Sequence, residues 1–322
     1  MALSDMVVFN QYFAPAIAEK YAQMIKKFNG ASAGTLTLSN AGFDGDYLQE
    51  SFYKQIFSAG RRVDRNAVNS SQSATPLLQA QMNTVKVAGG FGPILFEPGQ
   101  MTWLRKPTQE GITIASDQFA QSLMADQLNT LIASLVAAIG NNTAMVNDVS
   151  GGGLLTQSAL NNTHAKFGDM SQMLTGQIMS GPAYHDLIGE ALDNGARLFS
   201  SDTVTVVDIL GKAVIVTDAP ALTTAGTPNV HSVLSLASGA GVVSDGSDVI
   251  TNIDTTNGKQ RIETTMQADY TFGVGLKGYS WDIANGGSSP DDAALATGTN
   301  WDKVVASDKH TAGVLTIADA SA

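Results

Sequence analysis

The sequence predicts an α+β fold, and three observations carry that prediction. A long amphipathic helix covers residues 116–140, an equally long alternating strand covers 266–276, and a mixed run of short helices and strands lies between them. In the helix, Phe119, Leu123, Met124, Leu128, Leu131, Ile132, Leu135, Val136 and Ile139 recur at steps of three and four, which gathers them on one face. Gln118, Gln121, Ser122, Asp126, Gln127, Asn129, Thr130 and Ser134 make the other face. Ser116 reads as the N-cap, Asp117 as negative charge on the positive helix end, and Gly140 as a left-handed stop. In the strand, Met266, Ala268, Tyr270, Phe272, Val274 and Leu276 alternate with Gln267, Asp269, Thr271, Gly273 and Gly275. Helix and strand are about 37 and 36 Å long at ~1.5 and ~3.3 Å per residue. Elements of matched length can bury each other's apolar faces as an elongated slab. Phe119, Leu123, Leu128, Leu131 and Leu135 are the core positions expected on the helix side.

The rest of the chain is read onto that slab. Near the N-terminus, Pro15 suits a helix's first turn, Ile17, Tyr21, Met24 and Phe28 follow at helical spacing, and Asn29-Gly30 ends the segment. This helix packs either on its own chain or, as an arm, on another subunit; both placements are open. Thr35 to Leu38 alternate briefly. From Asp46, Leu48, Phe52 and Ile56 are spaced by four and predict a second helix, with Arg61, Arg62 and Arg65 beyond it. Leu77 to Met82 read as another helical turn and Thr84-Val85-Lys86-Val87 as a strand. Gly89-Gly90-Phe91-Gly92-Pro93 is expected to turn the chain, and Gln100 to Arg105 to alternate again. An isolated two-stranded excursion is marginal in water unless it lies on something. Nothing obvious in one copy is available, which hints at a multi-copy assembly. Shortening residues 86–104 is therefore expected to spare folding and block assembly.

Beyond the long helix, residues 156–166 are weakly helical, 173–179 run into a strand, and Gly181-Pro182 opens a helix stopped by Asn194-Gly195. Strands follow at 203–207, 213–217 and 231–236, describing a compact α/β lobe inserted between the two slab elements. Residues 249–253 and the Asn257-Gly258 turn lead back into the long strand. The tail is loop-rich, with Trp301 as its expected anchor.

Composition narrows the function classes. With no cysteine there are no disulfides, thiol chemistry or zinc–thiolate sites. Residues 1–110 carry a net charge of +2 and residues 111–322 a net of −13. An acidic body argues against nucleic-acid binding as the main task, because phosphate contacts need clustered cations. A less acidic N-terminal third could reach onto the acidic body of a neighbouring copy; ordinary solvated charge is the plain alternative. No basic region followed by an apolar run marks a signal peptide. The most apolar part of the long helix, 131–139, is read as too short to span a bilayer.

Chemical motifs are scarce. Gly30-Ala31-Ser32-Ala33-Gly34 fits G-x-S-x-G, but a nucleophile elbow needs a strand before the serine and a helix after it, and here the order is reversed. Gly273-Val274-Gly275-Leu276-Lys277-Gly278 fits G-x-G-x-x-G, yet lies within the strand alternation rather than ahead of a helix. His164, His185, His231 and His310 form no spaced ligand array, and Asp245-Gly246-Ser247-Asp248 lacks the remaining ligands of a calcium loop. His185-Asp186 reads as an exposed pair. No catalytic residue, cofactor site or metal site is expected. The three arginines read as a surface or subunit-contact patch.

Taken together, this order of elements resembles a tailed-bacteriophage major capsid protein of the Hong Kong 97 type. Val85-Lys86-Val87 through Gly92-Pro93 to Pro98-Gly99 and Trp103 resembles the extended E-loop, and residues 116–140 the spine helix. Leu160 to Phe167, Gly168-Asp169 and Ile178-Met179-Ser180 resemble the run into the axial domain, and Leu210-Gly211-Lys212-Ala213-Val214-Ile215-Val216-Thr217-Asp218 its characteristic strand. Ser289-Pro290-Asp291-Asp292-Ala293-Ala294-Leu295 and Asn300-Trp301-Asp302-Lys303 resemble the tail. The resemblance implies an N-terminal arm and helices (1–66), an E-loop (67–110), a peripheral domain in two parts (111–153 and, with the tail, 261–322) and an axial domain (154–260). It implies a non-enzymatic shell subunit of the virion, assembled in the host cytoplasm as hexamers and pentamers around double-stranded DNA held without sequence-specific contacts. Portal, scaffolding and decoration proteins would be partners, and no membrane. Subunit contacts are expected from Arg61, Arg62, Arg65, Lys86, Trp103, Arg105 and Lys106. A nanocompartment shell enclosing an enzyme cargo is the near alternative, and a hydrolase using Ser32 the distant one.

Overall fold

A computed structural model describes residues 3–39, 45–54, 59–68, 71–96, 108–193, 211–246, 249–258, 260 and 262–321. In chain order the elements are α1 (Leu3–Ala31), β1 (Leu36–Ser39), β2 (Tyr47–Tyr53), β3 (Gln79–Phe96), α2 (Thr108–Asn141), β4 (Val146–Asp148), α3 (Gln157–Ala165), β5 (Leu174–Met179) and α4 (Gly181–Asp193). They continue with β6 (Ala213–Val216), β7 (Thr223–Thr224), β8 (Val230–Ala237), β9 (Gly241–Asp245), β10 (Ile250–Thr256) and β11 (Glu263–Leu276). The tail adds β12 (Tyr279–Trp281), α5 (Ile283–Gly286), α6 (Asp292–Leu295), β13 (Trp301–Lys303) and β14 (Gly313–Asp319).

The predicted slab is present. β11 is the centre of a six-stranded sheet ordered β1-β9-β11-β3-β2, with β10 also paired to β11. Met266, Ala268, Tyr270, Phe272, Val274 and Leu276 are all buried beneath α2, while Gln267 and Asp269 on the other parity are exposed. From α2 come Phe119, Leu123, Leu131 and Leu135, all buried, and Leu128, half-buried. Phe119 meets Phe91 and Tyr270 edge-on at centroid distances of 5.1 and 6.2 Å, so the helix locks across two neighbouring strands.

The helix ends differ from expectation. α2 starts at Thr108, so Ser116 is no cap but a fully buried interior residue. Asp117 serves a neighbour instead: its carboxylate meets Lys20 of α1 at 3.2 Å. Gly140 is not left-handed; the helix runs one residue past it. Of the predicted polar face, Gln127, Thr130 and Ser134 are buried, because α1 covers that side. Ile17, Tyr21 and Ile25 of α1 are buried there, and the Tyr21 hydroxyl donates to Gln127 Oε1. Of the two placements left open for the first helix, this part therefore takes its own chain. α1 also passes through Pro15, which forgoes one backbone hydrogen bond without starting or ending the helix.

Length and apolar content alone would let residues 116–141 cross a membrane, a span longer than the 131–139 read as too short; half of its most apolar window is buried in the fold. Packing, not length, makes α2 a core helix.

The largest corrections concern residues 46–96. The predicted helix from Asp46 is strand β2, paired antiparallel to β3 from Tyr47↔Val85 to Tyr53↔Gln79. A spacing of four is a multiple of two as well as near one helical turn, so Leu48 and Phe52 fit both, and Tyr47, Phe52 and Tyr53 favour the strand. Ile56 lies outside the described residues. The helical turn expected at 77–82 is the start of β3. Gly89 to Pro93 do not turn the chain: β3 runs through them, paired to β11 from Val85↔Val274 to Phe96↔Thr264. Gly89 lies under the Tyr270 ring, where a Cβ would stand 2.5 Å from Cε2. Gly92, at φ +102°, sits where the register shifts between Met266 and Ala268, so this glycine run is a bulge. The strand thus lies on its own chain, which corrects the expectation that one copy offers it nothing. The returning strand at 100–105 lies outside the described residues.

In the second lobe, strands expected at 173–179, 213–217 and 231–236 are β5, β6 and β8, and the helices at 157–165 and 181–193 are α3 and α4. The strand expected at 203–207 lies outside the described residues. The sheet here is ordered β4-β14-β8-β5-β6, with β7 on β8. Its membership does not follow the cuts at 154 and 260. β4 and β14 flank the lobe in sequence yet build its sheet, and β9 and β10 precede the second cut yet pair with β11. Far from being loose, the tail delivers β14 between β4 and β8. Trp301 is its anchor as expected, 1% exposed and edge-on to Trp281 at 4.9 Å. The larger hydrophobic core runs from Ile17 through α2 to Leu315, joining both sheets, and a smaller cluster around Leu160, Met179 and Leu187 lies in the second lobe.

Candidate functional site: an assembly surface

No catalytic constellation is assembled from the residues that sequence singles out. Ser32 is 1% exposed and its hydroxyl donates to the Leu36 carbonyl at 2.8 Å, closing the turn between α1 and β1. A hydroxyl enclosed in this way cannot reach a substrate carbonyl. The G-x-G-x-x-G run lies in β11 and the turn after it, with Gly275 against the Thr84 side chain. Among the described residues no group of three His, Asp or Glu side chains is placed to hold a metal.

Of the four histidines, His164 and His231 are buried. His164 is buried between α3 and the second sheet, its Nε2 3.0 Å from Ser235 Oγ and 3.2 Å from Gln177 Nε2. An amide nitrogen can only donate, so Nε2 accepts and the ring stays neutral. Burial, and then the Lys212 charge, push its pKa down to about 4. The folded ring therefore resists a proton that the unfolded ring accepts below about pH 6.5. This contribution to stability is complete above that pH and is lost as pH falls toward 4. At about 1.4 kcal/mol per pH unit, the loss totals about 3 kcal/mol. Thermal melts at pH 7 and pH 4 should show that loss in the wild type and a smaller one in His164→Gln.

The expected exposed pair His185-Asp186 is not one. Asp186 Oδ2 turns inward to 3.3 Å from buried His231 Nε2, and Oδ1 accepts from the Ser321 hydroxyl at 2.5 Å. That contact ties α4 to β8 and to the end of the chain.

A second set of polar groups joins α1, α2 and β11. Tyr270 donates to Asp126 Oδ2 at 2.8 Å. Burial holds the Asp126 carboxyl above the usual carboxylate range, and burial with the neighbouring Asp126 holds the Tyr270 hydroxyl up as well. Sequence reading placed Gln127 and Asp126 on a solvent face. The signal available was Tyr21 and Tyr270, aromatic residues with a polar tip at core positions, which need a partner when buried.

The subunit-contact candidates divide into three groups. Arg61, Arg62 and Arg65 are exposed on the irregular stretch between β2 and β3, which turns at residues 65–67. Lys86 is half-buried in the middle of β3 opposite Gly273, on the sheet face away from α2, so it is not at a loop tip. Trp103, Arg105 and Lys106 lie outside the described residues.

What this arrangement offers is shape and surface. A long helix crosses a long-stranded sheet, a second sheet closes on the same core, and an exposed irregular stretch joins β2 to β3. That is the Hong Kong 97-type capsid fold, a class of shell-building subunit. The chain belongs to the major capsid protein 13-like family, whose pattern matches residues 5–315. Among solved structures, the Cyanophage Pam1 capsid asymmetric unit superposes with a TM-score of 0.58 at 12% identity, covering 88% of each chain. A chain from Mycobacterium phage Bobi gives 0.52 at 12% identity over 88% of this chain and 89% of that one. One from Microbacterium phage Oxtober96 gives 0.51 at 14% identity over 76% and 84%. A search of curated protein sequences finds no match.

Proposed function

We propose that copies of this chain assemble as hexamers and pentamers into an icosahedral shell around double-stranded DNA, in the host cytoplasm, with portal, scaffolding and decoration proteins as partners. The observation that carries this reading is the family match across almost the whole chain. The acidic body fits a shell wall, since a net charge of −11 disfavours adhesion to packaged DNA and eases its entry and exit. Assembly needs no chemistry from the subunit, in keeping with the enclosed Ser32 hydroxyl.

The test is electron microscopy of the protein expressed alone and with the rest of its virion proteins. Closed shells with five- and six-fold clusters, filled with nucleic acid when packaging proteins are present, are the expected result. Shells holding a co-purifying enzyme instead would favour a nanocompartment, and a monomer at high concentration would end the reading.

A further inference from the structure

Four Asn-Gly pairs occur in the chain, at Asn29-Gly30, Asn194-Gly195, Asn257-Gly258 and Asn285-Gly286. Asparagine ahead of glycine carries a latent reaction, because no Cβ shields the following backbone nitrogen from the side-chain amide. Whether it proceeds depends on a side chain free to swing, a following N–H that donates to nothing, and backbone able to rotate. Asn194-Gly195 lies outside the described residues. Of the other three pairs, the structure meets these conditions at one.

Asn29 is pinned. Its Nδ2 donates to the Leu38 carbonyl at 2.8 Å and its Oδ1 accepts from the Leu38 N–H at 2.9 Å, tying the end of α1 to β1. Gly30 is inside the last turn of that helix, so its N–H donates to the turn before it. Asn285 is held as well. Its Nδ2 donates to Asp282 Oδ2, the Gly286 N–H donates to the Asp282 carbonyl at 2.8 Å, and Gly286 lies against the Trp281 ring. Asn257 differs on every count. It follows the last rung of the β10–β11 ladder, Thr256↔Glu263, and both it and Gly258 are exposed. Among the described residues nothing bonds to the Asn257 amide or to the Gly258 N–H. Gly258 takes φ +92°, and a Cβ built there would meet nothing within 4 Å.

We propose that Asn257 converts spontaneously to aspartate and isoaspartate, with the Gly258 nitrogen as nucleophile and water as the co-reactant. The Gly258 nitrogen gives up its proton to hydroxide and attacks Asn257 Cγ. The Cγ–Nδ2 bond breaks, and that nitrogen leaves as ammonia with a proton from water. A second water opens the resulting imide at either carbonyl, leaving the new carboxylate in the side chain or in the backbone. Each event adds one negative charge to a chain whose net is already −11. The isoaspartate form also lengthens the backbone by one carbon at the hairpin tip. The reaction is a clock that marks older copies of the chain at one end of the long-stranded sheet.

Ageing the purified full-length protein at pH 7 and pH 8, then digesting it at low pH, tests this by mass. The peptide holding Asn257 should gain about one dalton and split into two isomers, one of them a substrate for isoaspartate methyltransferase. Its rate should rise about tenfold from pH 7 to pH 8, since each unit multiplies the deprotonated amide tenfold. Peptides holding Asn29 and Asn285 should convert about tenfold more slowly, or less, in the folded chain and catch up in urea, where the fold no longer holds them. Gly258→Ala should slow conversion at Asn257 about tenfold or more, as the added Cβ shields the nucleophile. Asn257→Gln, which keeps the glycine of the turn, should leave that peptide at its original mass. A wild-type Asn257 peptide that keeps its mass in the folded chain would overturn the proposal, as would Asn29 or Asn285 converting as fast. Particles play no part in the measurement, so its outcome is independent of the shell reading.

Discussion

Leu131→Asp should yield no folded subunit. Leu131 is fully buried where α2 crosses the sheet, with its methyl groups directly over Gly241 at the start of β9. Removing such a side chain costs about 2–5 kcal/mol by cavity formation alone. Placing a carboxylate there adds several kcal/mol more. Together these consume most or all of the roughly 5–15 kcal/mol by which a domain is stable. Soluble yield and a circular dichroism melt check this, with Leu131→Met, which keeps the volume and should cost under about 1.5 kcal/mol, as the control. A Leu131→Asp protein that melts like the wild type would refute the burial.

The parts of the fold legible in sequence are those where periodicity is long. Fourteen residues of β11 admit only one reading of their alternation, and the apolar positions of α2 hold across most of its 34 residues. What failed was short or doubly explicable. Leu48 and Phe52 sit four apart, which suits either a helix or a strand, and only the register with β3 decides between them. The glycines from Gly89 to Gly92 look like a turn because glycine has two uses. Here one of them makes room for Tyr270, 181 positions later in the chain, and no local window contains that reason. The buried side of α2 at Gln127 was unreadable for a similar cause: its partner, Tyr21, is 106 residues away. Tail strand β14 was missed because seven residues buried on both faces carry no alternation to read.

The candidate surface was legible to a lesser degree. The arginine cluster and the charge contrast between the two parts of the chain stand in the sequence, but which side chains share a sheet face depends on β10, β3 and β11 lying side by side. Asp254, Asp269 and Leu95 are far apart along the chain and carry no common motif. Only the sheet register brings them to one face.

Deleting residues 86–104 should abolish folding, the reverse of what the sequence suggests for a detachable excursion. β3 supplies one whole side of the pairing to β11, and Val87 is buried in the core while Phe91 packs edge-on against Phe119. Without residues 86–96 the long strand would expose an unpaired edge to solvent along most of its length, and buried apolar side chains of β11 would lose their neighbours. An unpaired edge beside a bared apolar face is also a template for aggregation. The expected result is insoluble protein, or a soluble species without a cooperative melt. Deleting residues 61–66 instead removes only exposed chain and should leave the melting temperature within a few degrees of wild type, as about 0.5 kcal/mol or less is at stake. A folded, cooperatively melting subunit from the 86–104 deletion would mean that β11 is held by α2, β9 and β10 without β3, and that β3 is an appendage after all.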